Sequence, residues 1–244
     1  MISIPWFFPV LFVTLSACST SKGFDRPGIY ESLHQRPPVA GEHEPTDSPA
    51  QRIALPEPFR LGVYFVHTEL PTRRSVRTVE WLSAERDRLI QRLAPLRSDQ
   101  IVHDVILLAE PTVLNPTIRE LRLAAGRYGM DALLIIDGIG AVDRFNNAYS
   151  VLYPTIIGAW LAPGTVSDAL FVLDGTLWDL RSDTTLDRLT AEGRAQRTGP
   201  AILVEDTDVL TEAKHRAIDA FGAQFVEHLR ALKRRQSVAP ASLR

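Results

Sequence analysis

The sequence predicts an α/β domain: a βαβαβ core in two or three layers, with an added antiparallel hairpin and a long C-terminal helix. Three observations predict it. Apolar runs of strand length alternate with amphipathic stretches of helical period between residues 60 and 136. Two long strand-like segments follow, joined by turn residues 181 to 184. Finally, Leu210, Ala213, Ala217, Phe221, Phe225, Leu229 and Leu232 recur at spacings of three and four.

Residues 61 to 66 form a continuous apolar run, as a strand covered on both faces requires. Ser83 suits the cap of a helix whose Leu89, Ile90 and Leu93 make one stripe. Residues 101 to 108 are rich in β-branched side chains and predict the second strand. Asn115 and Pro116 signal a helix start, with Ile118, Leu121, Ala125 and Tyr128 on one face and Gly129 as the stop. Residues 132 to 136 predict the third strand, and Gly138 and Gly140 are expected to let the chain leave the sheet there. Residues 169 to 180 and 185 to 196 form the hairpin, and the terminal helix of about 25 residues closes on Lys233, Arg234 and Arg235, favourable at its negative end.

The chain's 244 residues, 45% hydrophobic and 23% charged, fit one domain with extensions. A net charge of -2 gives no electrostatic footprint for nucleic acid, which is excluded as a partner. Cys18 is the only cysteine, so thiolate nucleophiles and thiolate metal sites are excluded from everything after it.

Residues 2 to 14 are an apolar stretch too short to span a bilayer, which takes about 20 apolar residues. Leu15, Ser16 and Ala17 precede Cys18 in the pattern of a lipobox, where cleavage leaves Cys18 as the lipidated first residue, carrying diacylglycerol and an acyl chain such as palmitate. Two or three acyl chains anchor a protein stably where one does not. By resemblance to lipoproteins of two-membrane bacteria, Ser19 rather than Asp after the cysteine implies export to the outer membrane, with its periplasmic face as the expected location. The expected organisation is a signal peptide at 1 to 17, a lipid-anchored linker at 18 to 59, an α/β periplasmic domain at 60 to 235 and a flexible tail at 236 to 244. Seven of the 17 prolines lie between residues 19 and 59, the composition of a linker. As a coil this stretch spans roughly 35 Å. The island of Ile29, Tyr30 and Leu33 is a candidate for docking on the domain.

Catalytic signatures are sparse. The histidines at 34, 43, 67, 103, 215 and 228 lack ligand spacing, so no metal is expected. Neither GxSxG nor GxxxxGK[ST] occurs, and the GxG at 138 to 140 meets Asp143 where a third glycine belongs, so no cofactor is expected. Asp137 and Asp143 fall where open α/β sheets usually bind ligands. Asp174 and Asp179 are five apart, which sends them to opposite faces of a strand. Structural and turn-forming roles suit these carboxylates better than acid–base chemistry. Residues 149 to 163 are almost uncharged and interrupted by Pro154 and Gly158. They fit either a buried crossover or an exposed interaction surface carrying Tyr149, Tyr153, Ile156 and Trp160.

With the lipobox, the block YPTIIGAWLAPGTVSDALFVLDGTLWDL and the terminal helix in view, the chain resembles the rhombotail lipoprotein family of proteobacteria from about residue 61 to 232. Residues 233 to 244 lack the glycine-rich, apolar tail for which that family is named, so the associated proteolytic processing is not expected. More remotely, the element order resembles periplasmic α/β domains of outer-membrane assembly lipoproteins of the curli-secretion and synthase-activator type. Neither resemblance carries catalytic residues. The leading expectation is a non-enzymatic, outer-membrane-anchored periplasmic domain whose partners are the membrane, through its anchor, and another envelope protein or a second copy. The alternative is a hydrolase or small-ligand binder using the carboxylates after the third strand.

Overall fold

A computed structural model describes residues 20–34, 55, 57–66, 76–77, 80–108, 117–153, 155, 160–182 and 184–238. One mixed sheet organises them, with strands β1 (Phe59–Phe65), β2 (Val76–Arg77), β3 (Val102–Leu107), β4 (Ala132–Asn146), β5 (Thr165–Asp179) and β6 (Thr184–Gly199). Its order is β3-β1-β4-β5-β6, with β2 pairing beside β4. β1 pairs in parallel with β3 and β4, whereas β5 and β6 continue the sheet antiparallel. The βαβαβ core with an added hairpin is therefore the fold, and helices on both faces make three layers.

Residue alternation along β4 and β5 divides the two faces. On one, Leu134, Ile136, Phe171 and Leu173 pack under helices α2 (Ser83–Leu93) and α5 (Asp206–Val238), whose Leu89, Leu93, Phe221 and Phe225 are fully or almost fully buried. Each such side chain contributes about 1.5–3 kcal/mol. The short helix α3 (Pro95–Ser98) adds Leu96 to this core. On the other face, α4 (Ile118–Arg127) covers Tyr64, Leu133, Ile135 and Trp178. Beside it α1 (Arg26–His34) covers Ile139, Ala141, Leu170 and Val172 with Ile29 and Leu33. The island thus docks on the sheet. All fifteen residues of β5 are buried, because both of its faces are covered.

Several local details differ from expectation. β4 does not end near Ile136 but runs to Asn146, so Gly138, Gly140, Asp137 and Asp143 lie inside the strand. The two glycines serve packing rather than exit: a Cβ at Gly138 would lie 2.6 Å from the Phe171 ring, and one at Gly140 would lie 2.7 Å from Leu210. Ser83 does not cap α2. Leu82 holds that position, and the Glu85 carboxylate reaches back to accept from its N–H at 2.8 Å. Asn115 and Pro116 lie outside the described residues; α4 is capped by Thr117, whose hydroxyl accepts from the Glu120 N–H while Glu120 accepts from the Thr117 N–H. Gly129 stops α4 at φ +65°, but Tyr128 points to solvent. α5 has 33 residues rather than about 25: no proline occurs between Asp206 and Pro240, and the helix continues through its internal Gly222.

Candidate functional site

Two cross-strand carboxylate pairs line the face that carries α1. Asp137 stands opposite Asp174, and Asp143 opposite Asp168. Like charges placed so are mutually destabilising unless compensated. β6 supplies the compensation: Arg188 holds Asp174 with an Nη2 distance of 2.9 Å, Thr190 donates to it at 2.9 Å, and Arg194 forms a fork on Asp168. Asp143 is instead occupied by the N-terminal chain, accepting from the Ser21 hydroxyl at 2.6 Å and from the Lys22 and Gly23 N–H groups at 2.9 and 3.1 Å. Asp137 accepts from the Gly138 N–H. Asp179 accepts from the Arg181 N–H and the Ser182 hydroxyl, which shapes the β5–β6 turn. Alternation puts it on the face opposite Asp174, as its spacing predicts.

Other titratable groups also serve packing. Tyr30 donates to Glu192, and its hydroxyl is pushed above its ordinary pKa by burial first and then by that bond and the carboxylate's charge. Lys214 lies buried between α2 and the sheet, donating to Glu85 and to the Glu80 carbonyl, 4.4 Å from the centre of the Trp81 ring. Burial pushes its pKa down, against the pull of Glu85. Among the described residues, no group of three or more His, Cys, Asp or Glu could hold a metal ion, and no helix is long and apolar enough to cross a membrane.

A cluster of exposed apolar side chains lies at one end of the sheet. Asn146, ending β4, pairs with Thr165, which begins β5, and Thr165 pairs with Gly199, which ends β6. The loops after β4 and after β6 therefore leave the sheet together. The first exposes Tyr149 and Leu152 from a 3-10 turn (Ala148–Leu152), then Trp160 at 54% and Leu161 at 73% exposure. The second exposes Ile202 at 52% and Leu203 at 62%. Polar contacts hold both loops from beneath. Asn147 donates to the Pro163 carbonyl, and Arg144 donates to the carbonyls of Ala201 and Val204 while pairing with Asp206.

Of the sequence-predicted surface residues, Tyr149 and Trp160 are exposed, whereas Tyr153 is half-buried with its hydroxyl 2.8 Å from that of Thr165. Ile156 lies outside the described residues, as do Cys18 and the lipobox residues Leu15, Ser16 and Ala17. Sequence reasoning missed Ile202 and Leu203. Their only local signal is an apolar pair directly after the turn at Pro200.

No protein-family model matches the chain, and no curated protein does. Solved structures that resemble it do so remotely. A Xanthomonas campestris protein is 15% identical, with 75% of this chain and 91% of that one covered and a TM-score of 0.36. A neuraminyllactose-binding hemagglutinin homologue from Helicobacter pylori is 10% identical, with 84% and 97% covered and a TM-score of 0.39. A minor lipoprotein from Acinetobacter baumannii is 11% identical, with 71% and 92% covered and a TM-score of 0.31.

Proposed function

We propose that this chain is a lipid-anchored domain of the cell envelope that works by association rather than by catalysis, held at the periplasmic face of the outer membrane through Cys18. The observation that carries the association reading is the exposed apolar end of the sheet, where two loops present Trp160, Leu161, Ile202 and Leu203 to solvent. Exposed apolar clusters of this kind mark protein or membrane contacts. The sheet carboxylates support the same reading. Asp143, Asp168, Asp174 and Asp179 are each engaged by donors that the fold itself supplies. The lipobox and the rhombotail resemblance support the anchor and the compartment in this reading.

A photo-crosslinking residue at Leu161 or Leu203 tests this in intact cells. Capture of an envelope component, whether protein, second copy or lipid, is the expected outcome. The absence of adducts from both positions, in a protein that also leaves the outer-membrane fraction no more readily when Cys18 is replaced by serine, defeats the proposal. The alternative, a small-ligand or hydrolytic site, rests on Asp137 facing Asp174 across two strands. It requires Asp137→Asn to abolish binding or turnover of a ligand that the unsubstituted protein takes.

A further inference from the structure

We infer that the apolar end of the sheet rests in the interfacial layer of the same bilayer that holds the chain's lipid anchor, so that the domain lies flush on the membrane. This deepens the association reading and rests on lipidation of Cys18.

The first argument is chain length. Ser21, Lys22 and Gly23 are bound to Asp143, three residues from the end of β4. Cys18 precedes Ser21 by three residues, which at about 3.5 Å each span no more than about 10 Å. Asp143 lies about the same distance from the end of its strand. The direction agrees as well. Helix α1 covers Ile139 and Ala141, and the chain preceding it binds Asp143, two positions nearer the apolar end. Traced back toward Cys18, the chain therefore advances toward that end. The proline-rich stretch between α1 and β1 does not separate anchor from domain, because α1 is already docked upstream of it.

The second argument is composition. Residues 145 to 167 and 198 to 204 contain no Asp, Glu, Lys or Arg, although 23% of the chain is charged. Charge is costly where a surface leaves water for lipid, and amphipathic rings favour that boundary. The large exposed side chains described there are two aromatic residues, Tyr149 and Trp160, and five aliphatic ones, Val151, Leu152, Leu161, Ile202 and Leu203, carried on two separate loops. Such loop tips can enter the headgroup–acyl boundary, where peripheral proteins bury apolar groups about 5–10 Å deep.

Tryptophan fluorescence supplies the test. Cleavage before Cys18 removes Trp6, leaving Trp81, Trp160 and Trp178; Trp81 and Trp178 are each 3% exposed, so lipid-borne quenchers reach Trp160 alone. The mature lipidated chain is reconstituted into phosphatidylethanolamine and phosphatidylglycerol vesicles with ordinary or brominated acyl chains. Brominated chains should remove most of the Trp160 emission. Trp160→Phe should leave only emission that bromine does not quench. Leu161→Glu combined with Leu203→Glu should restore Trp160 emission while leaving the melting temperature unchanged. Mass spectrometry of Cys18 reads the anchor separately. An unquenched Trp160 on a lipidated chain overturns the inference alone, and a crosslinked protein or second copy at Leu203 then identifies the end as a protein interface. An unmodified Cys18 overturns both the inference and the anchor.

Discussion

The hydroxyl of Ser21 donates a 2.6 Å hydrogen bond to Asp143, and the same carboxylate oxygen accepts the N–H groups of Lys22 and Gly23. An acidic side chain on the sheet thereby fixes the chain close to its lipidation site. Asp143→Asn removes the charge that makes these bonds strong. Because a hydrogen bond to a charged group contributes about 1.5 kcal/mol or more, trypsin should cut after Lys22 about tenfold faster in the variant. Timed digestion followed by mass measurement of the fragment beginning at Gly23 checks this. Equal rates would mean that Asp143 does not hold the segment in solution.

Lys214 and Glu85 form a pair whose side chains are only 6% and 3% exposed. Removing one member leaves an uncompensated buried charge, which costs about 3–5 kcal/mol. Lys214→Met should therefore destabilise strongly in urea denaturation. Combining it with Glu85→Gln, which keeps an acceptor for the Leu82 N–H, should recover most of the loss. If the double variant is no more stable than Lys214→Met, the cost lies in lost packing against Trp81 and not in charge.

Asp219 joins α5 to α2 by accepting from Arg88 at 2.8 and 2.7 Å and from Arg92 at 2.8 Å. The Arg88 hydrogen bonds, reinforced by Arg92, hold its carboxyl down from 3.8 to about 2. A carboxylate depressed in the folded state stabilises above its unfolded pKa, and that contribution fades as pH falls from 3.8 toward 2. Asp219→Asn should cost about 1 kcal/mol at neutral pH, discounted for solvent screening. Its melting temperature should then fall less steeply than the parent's across that acidic window. Parallel pH profiles for the two proteins would refute the assignment.

The parts of the fold that were legible in sequence are those whose burial is regular. β1 and the first half of β4 are covered on both faces and read as continuous apolar runs. Helix α5 declared itself by its stripe from Leu210 to Leu232. The second half of β4 was not legible. Gly138 and Gly140 are usually signs of a chain leaving a sheet, and their actual neighbours, Phe171 and Leu210, come from other elements. The apolar end was half-visible for a similar reason. The uncharged run beginning at Tyr149 stood out, but only the strand pairing of Asn146, Thr165 and Gly199 brings Ile202 and Leu203 to the same end. Nor does anything local to Asp143 announce that Ser21 will bind it.

Two glycines give a final prediction in which the same substitution has opposite signs. At Gly193 in β6, an added Cβ would lie 2.1 Å from the Ala213 carbonyl oxygen and 2.3 Å from the Ala217 nitrogen. Both are backbone atoms of α5, so no side-chain rotation relieves the clash and the helix itself must lift. That movement would loosen Ala213, Ala217 and Phe221 from the largest core cluster. Gly193→Ala should therefore destabilise by about 1–3 kcal/mol or more, the usual cost of overpacking a core. Gly126 lies in the last turn of α4 with nothing within 4 Å of the added Cβ and an ordinary helical backbone. There alanine restricts the unfolded chain and favours the helix, so Gly126→Ala should stabilise by about 0.4–1 kcal/mol. Urea titrations of both variants beside the parent decide the matter. A stabilised Gly193→Ala would show that α5 does not cross β6 in backbone contact, and the placement of that helix on the sheet would have to be redrawn.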